Sequence, residues 1–385
     1  MTRWNPGVVK RAALASLLAL GLGTAWVTLD RVAMDVVGQP SSTGAIQSQL
    51  EQPFFETLAA TTGLPLDVRY RTLDEVGLKD THQLEMLRDG SLDLVSLRFL
   101  QNTQSDPSLL GIDLPGLNTD FDTARAVIEA YQQVVDRRLQ QRYGVKLLGV
   151  WTFGPQVFFC RKPVKALADL AGLRVRVGGT TVAHVISAAG GTPVIVPFDD
   201  VRDALKNGMI DCAITSSGSA NSAGWPQYAT HYLPLTTQMG LNGYAISLRV
   251  WNELTSRQQQ VLQDAFTKHV EAILAFAREL HEDTSSCNVG GPCRLGKRYD
   301  LIGVQSTPSD VRALRAHMLG GIKQWAQDCD QVDAGCSAEW HRLIAPILQK
   351  TGDNEQWVRH CDRALPGCTD ELHTHPAAAV EQRLP

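Results

Sequence analysis

Residues 151–163 read WTFGPQVFFCRKP, residues 168–179 read ADLAGLRVRVGG, and residues 188–225 read AAGGTPVIVPFDDVRDALKNGMIDCAITSSGSANSAGW. These pieces decide the fold. LRVRV and PVIVPF are β-branched runs, TTVAHVISAAG and DDVRDALKNG read as helices, and DCAITS is a further short strand. Strand and helix in alternation is the grammar of a parallel sheet covered by helices. Asp199 and Asp200 stand in the first turn of the second helix, where acidic residues are favoured. Arg174 and Arg176 lie inside an apolar strand, and Thr215 and Ser216 close another. A fixed guanidinium near small hydroxyl residues is suited to holding a small anion. No evident catalytic group accompanies it, so the segment reads as a binding site.

The same grammar precedes this segment. A strand ends at Gly38-Gln39-Pro40, and a helix over about 44–62 carries Leu50, Phe54 and Leu58 at helical spacing. Gly63-Leu64-Pro65 breaks it before the strand LDVRYRTL. A helix over 81–88 leads to the strand LDLVSL, and a helix over about 122–142 leads to a strand over 146–151. The expected organisation is one α/β lobe over 26–151 and a second over 152–237. A stretch over 238–254 returns to the first lobe with a strand at 244–248. A long helix over 255–284 spans both lobes, a helical region with short cysteine loops covers 285–372, and 373–385 is a disordered tail. Two such lobes place a ligand between them, outside the carboxyl ends of the strands. Gly38-Gln39-Pro40, Leu97-Arg98-Phe99, Arg176 and Thr215-Ser216 converge there.

The chain has 385 residues, enough for two domains with their own cores. Its net charge of −4 gives no basic surface for nucleic acid. Arg3, Lys10 and Arg11 precede an apolar run over 12–25, and Gly23 and Ala25 are small residues before a cleavage point. This is the pattern of a signal peptide cut after Ala25, with an uncleaved anchor as the competing reading. Export agrees with eight cysteines, six of them in close pairs: Cys287 with Cys293, Cys329 with Cys336, and Cys361 with Cys368. Cys160 and Cys212 remain as the long pair. Zinc is the competing reading, but C-x2-C spacing is absent and His360 is the only histidine next to a cysteine, so disulfides are expected. No cofactor and no bound metal is indicated.

The stretches WTFGPQVFFCRKPV, LADLAGLRVRV, GGTPVIVPFDDVRDALKNGMIDCAIT and GLNGYAISLRVWNEL resemble the solute-binding proteins of TRAP transporters. The resemblance covers about residues 31–352. EQPFFE, GLKD, GIDLPGL and DCAIT look like the cysteine-bearing branch of that family. It implies a periplasmic, two-lobed α/β clamshell closing on a small organic acid and delivering it to a membrane permease; a monomer is the default for a clamshell that must dock with a permease. The family motif Gly-Leu-Lys-Ile-Arg-Val places the carboxylate-binding arginine on Arg176 and leaves Arg174 solvent-facing or structural. Gln156 occupies the region where related proteins place another polar contact, sometimes a second arginine. No arginine occupies 154–159 here, which points to a monocarboxylate. Thr215 and Ser216 are expected to offer hydroxyls to the ligand. Trp225, Phe158 and Trp151 are candidates for its apolar walls, Asn242 for a contact from the GLNGY turn, and Gln39 for one from the first strand end. The competing readings are an ion pair of Arg176 with Asp199 or Asp200, a ligand sensor for a signalling partner, and an exported hydrolase using Ser216, Ser217 and His231.

Overall fold

The computed structural model describes residues 31–350, the last two by backbone alone. The expected signal peptide, the pair Cys361 and Cys368, and the tail at 373–385 lie outside the described residues. No helix among the described residues is long and apolar enough to cross a membrane.

In chain order the strands are β1 (Val32–Gly38), β2 (Leu66–Thr72), β3 (Leu94–Arg98), β4 (Val145–Thr152), β5 (Gln156–Cys160), β6 (Arg174–Val177), β7 (Thr192–Ile195), β8 (Cys212–Ser216), β9 (His231–Leu233), β10 (Leu241–Ser247) and β11 (Ile302–Gly303). They form two sheets, ordered β2-β1-β3-β10-β4 and β11-β9-β5-β8-β6-β7. β1 runs parallel to β2 and β3, and β6 runs parallel to β7 and β8, as strand–helix alternation requires. β10 is antiparallel to both neighbours, so the first sheet is completed by a strand returning from the second lobe. β5 is antiparallel to β8 and β9.

The expected helices form, with adjusted ends. The first opens with a π-turn at Gln47–Glu51 and becomes α-helical over Gln52–Thr62. The helix expected from residue 81 starts as a 3-10 turn at Asp80–His82 and is α-helical over Gln83–Arg88. The long helix runs over Ser256–Asn288, and its 33 residues amount to about 50 Å. A capping box between Thr255 and Gln258 starts it. Phe266 packs beside Phe54, Phe55 and Tyr244 of the first lobe. Farther along, Leu280 lies against Gly218, and Ser285 bonds Ser217 and Tyr232 of the second lobe. The helix therefore fastens to both lobes.

Two short segments also cross between the lobes, one after β4 and one before β10. They are bonded to each other: Phe153 N donates to Gly240 O, Gln156 N to Gln238 O, and Thr237 N to Gln156 O. Gly240 is required there, because its φ of 65° is left-handed and a Cβ would meet Gln156 Nε2 at 2.4 Å. Asp113, from the GIDLPGL stretch, clamps this crossing. Its carboxylate accepts from Met239 N at 3.0 Å and Leu241 N at 2.9 Å.

Burial pushes the Asp113 pKa up to about 6, against hydrogen bonds from Leu241, Met239 and Asn118 that pull it down. The folded chain thus holds this proton more tightly than the unfolded chain does. The contribution of Asp113 to stability is greatest below about pH 4 and falls as pH rises to about 6. Urea unfolding across this window should show wild-type stability declining with pH relative to Asp113→Asn. A constant difference between the two proteins would exclude the raised pKa.

Candidate functional site

A cavity of about 60 Å³ lies between the two sheets. The first lobe reaches it with Thr43, Arg98 and Leu100, the second with Arg176, Val182 and Thr215, and the crossing segments with Phe153 and Gln238. The lobes meet around it. Leu100 fills the space beside Gly178 and Gly179, where an added Cβ would collide with it. Ser42 donates to Asp199, and Gly44 lies against Ser222.

Arg176 projects from β6 and is 5% exposed. Its Nε donates to Val196 O at 2.9 Å and its Nη1 to Ile214 O at 3.1 Å. Two backbone carbonyls therefore fix the guanidinium without neutralising it, and among the described residues Nη2 has no hydrogen-bond partner. The guanidinium lies 5.6 Å from the Trp225 ring centroid. Burial, and then the charge of Arg98, bring its pKa down to about 9, so it is protonated at neutral pH. A buried cation without a carboxylate is costly, and a bound anion relieves that cost.

The ion pair with Asp199 or Asp200 does not form: among the described residues Arg176 is held by carbonyls, and Asp199 takes Ser42 of the first lobe. Arg174 is outside the cavity, paired with Asp211 at 3.0 Å and donating to Gly208 O. That pair, with Lys162, holds the Asp211 carboxyl far below its usual range, although burial opposes this.

The structure brings Arg176, Gln156, Thr215 and Asn242 to the cavity wall. Gln156 Nε2 donates to Gly154 O and Asn242 Nδ2 to Gly240 O, each at the crossing. Five other expected residues point elsewhere. Ser216 caps the short helix Ser217–Ser222, its Oγ accepting from Ser219 N, and Ser219 lines the cavity instead. Gln39 is bound into a buried cluster, donating through Nε2 to Ser96 and through its backbone N–H to Glu51. Glu51 also accepts from Ser96, Tyr70 and Tyr244, while burial raises its pKa. Phe158 is wholly buried on β5, an interior strand with neighbours on both sides. Trp225 is wholly buried behind Arg176, and Trp151 packs in the first-lobe core with Phe153 and Tyr244.

The catalytic alternative also comes apart. Ser217 Oγ bonds Tyr232 and Ser285, and His231 Nδ1 bonds the neighbouring Thr230 hydroxyl. Sequence reasoning gave no ligand role to Arg98, Phe153, Leu100 or Gln238, which line the cavity. For Arg98 the signal was its place at the end of β3, among the converging strand ends.

Residues 67–287 match the family model of the bacterial extracellular solute-binding proteins, family 7 (DctP). The match spans more than half of the chain, and the chain belongs to this family. It is an extracytoplasmic TRAP solute receptor rather than an enzyme, and such receptors work with membrane permease subunits. The sialic acid-binding periplasmic protein SiaP of Vibrio cholerae is 21% identical over 255 residues, 63% of this chain and 78% of that protein. A Bordetella pertussis solute receptor solved with pyroglutamic acid gives a TM-score of 0.70 at 19% identity, over 80% of this chain and 99% of that one. A TRAP solute-binding protein from Desulfovibrio salexigens with bound orotic acid gives 0.72 at 14% identity, over 82% and 100%. These likenesses establish the two-lobed fold.

Proposed function

We propose that the protein captures a small organic acid, a monocarboxylate, between its lobes, with Arg176 holding the carboxylate, and delivers it to its permease. The observation that carries this reading is a buried guanidinium fixed by two carbonyls, with a further nitrogen that has no hydrogen-bond partner among the described residues, at the cavity between the lobes. Gln156, Thr215 and Asn242 add neutral polar groups around it. Solved relatives hold pyroglutamic acid, orotic acid and succinate, all of them carboxylic acids. The test is thermal unfolding of ligand-stripped protein against a panel of small acids. An acid at a hundred times its Kd adds about 2.7 kcal/mol of apparent stability. Absence of a shift for every acid would reject the reading.

We further propose that the protein reaches the periplasm by a signal peptide removed after Ala25. The basic residues Arg3, Lys10 and Arg11 and the apolar run that follows support this. The intact mass of the exported protein checks it, since retention of residues 1–25 would leave an anchor.

A further inference from the structure

Among the described residues, the cavity is lined by two guanidiniums, one from each lobe, and by no carboxylate. Arg98 ends β3 of the first sheet and is 9% exposed. Its Nη1 lies 3.0 Å from Asp80 Oδ2, while its Nε is buried without a hydrogen-bond partner. An N–H left in that state is costly unless something supplies an acceptor. Two guanidiniums against one carboxylate leave one positive charge uncompensated. The cations also oppose each other, since the Arg98 charge is, after burial, the next cause pulling the Arg176 pKa down.

We propose that Arg98 is the first lobe's ligand-binding residue: its guanidinium donates to an oxygen of the acid held by Arg176, and the surplus of one charge selects a singly charged acid over a dicarboxylate. This rests on the assignment of Arg176. Closing the lobes brings two like charges toward one cavity, which disfavours closure when it is empty. An anion between them reverses the sign of that interaction, so the ligand stabilises the closed state through a contact that the open state lacks. The space between the lobes is narrow, about 60 Å³, and suits a small acid.

Calorimetry on the ligand-stripped full chain tests the proposal, with lactate, pyruvate and succinate as probes. The wild type should bind lactate or pyruvate at least tenfold more tightly than succinate. Arg98→Gln should weaken the preferred monoacid at least tenfold. Asp80→Asn releases the second positive charge and should shift the preference toward succinate at least tenfold. Unfolding midpoints without ligand show whether each variant is folded; should Arg98→Gln fail to fold, Asp80→Asn decides. Tighter binding of succinate by the wild type, or no binding of any of the three acids, would overturn the proposal. So would unchanged affinity in folded Arg98→Gln. If Arg98→Gln binds normally while Arg176→Ala does not, the Arg98 role fails and the Arg176 assignment stands. If neither substitution matters, both fail.

Discussion

Replacing Arg176 with alanine should weaken capture of the cognate acid by about 2–5 kcal/mol, roughly thirtyfold to a few thousandfold. The size follows from the site. The guanidinium is buried and its other contacts are neutral carbonyls, so the ligand carboxylate loses a desolvated, charge-assisted partner. Lysine should rescue little. Its ammonium cannot reproduce the planar fork that reaches Val196 O, Ile214 O and a ligand oxygen together. Isothermal titration of both variants checks the result, and wild-type affinity in Arg176→Ala would remove this residue from the site. Stability should not fall in parallel, because the uncompensated charge leaves with the side chain.

The second large effect concerns the bond between Cys160 and Cys212. These residues face each other across β5 and β8 and close a loop with a sequence separation of 52. In the chain-entropy model, removing such a cross-link costs about 4 kcal/mol. The double variant Cys160→Ala, Cys212→Ala should therefore show a much lower urea midpoint than the oxidised wild type, with activity as a receptor retained at low temperature. A loss below about 1 kcal/mol would mean that the bond restricts the unfolded chain little. The bond also steadies β8, which carries Thr215 and the Ile214 carbonyl that holds Arg176.

The fold was legible where local rules agree. Between residues 151 and 225, β-branched runs, helical spacing and Gly or Pro breakers all mark the same boundaries, and the strands appear there. The return strand was legible from the GLNGYAISL stretch, and the structure pairs it with β3 and β4. The site was harder to read, because side-chain direction depends on the whole sheet. Ser216 looked like a ligand hydroxyl, yet a serine between a strand and a helix is equally an N-cap, and Ser219 N takes it. Phe158 looked like a cavity wall, but its ring is wholly buried in the apolar core with residues such as Cys160, Ile214 and Leu233. Gln39 looked like a strand-end contact, but Glu51 and Ser96 lie close enough to hold it inside the lobe. The only mark that Arg98 carried was its place at the end of β3. Its partner Asp80 lies on a turn before the strand, and only the assembled lobes bring it to the cavity that Arg176 shares.

The placement of β10 bears on how the polypeptide is made. This strand fills the gap between β3 and β4 but is the last of the sheet to leave the ribosome. A nascent chain can pair β1 with β2 and β3, yet it cannot close the first sheet until β5 to β9 of the second sheet have emerged. Such long-range pairing delays collapse into the finished structure. For a receptor that works outside the cytoplasm, delay is an advantage, because a translocation channel takes an extended thread more readily than a folded body. The same strand that joins the lobes thus leaves the first sheet open until most of the second sheet has been made.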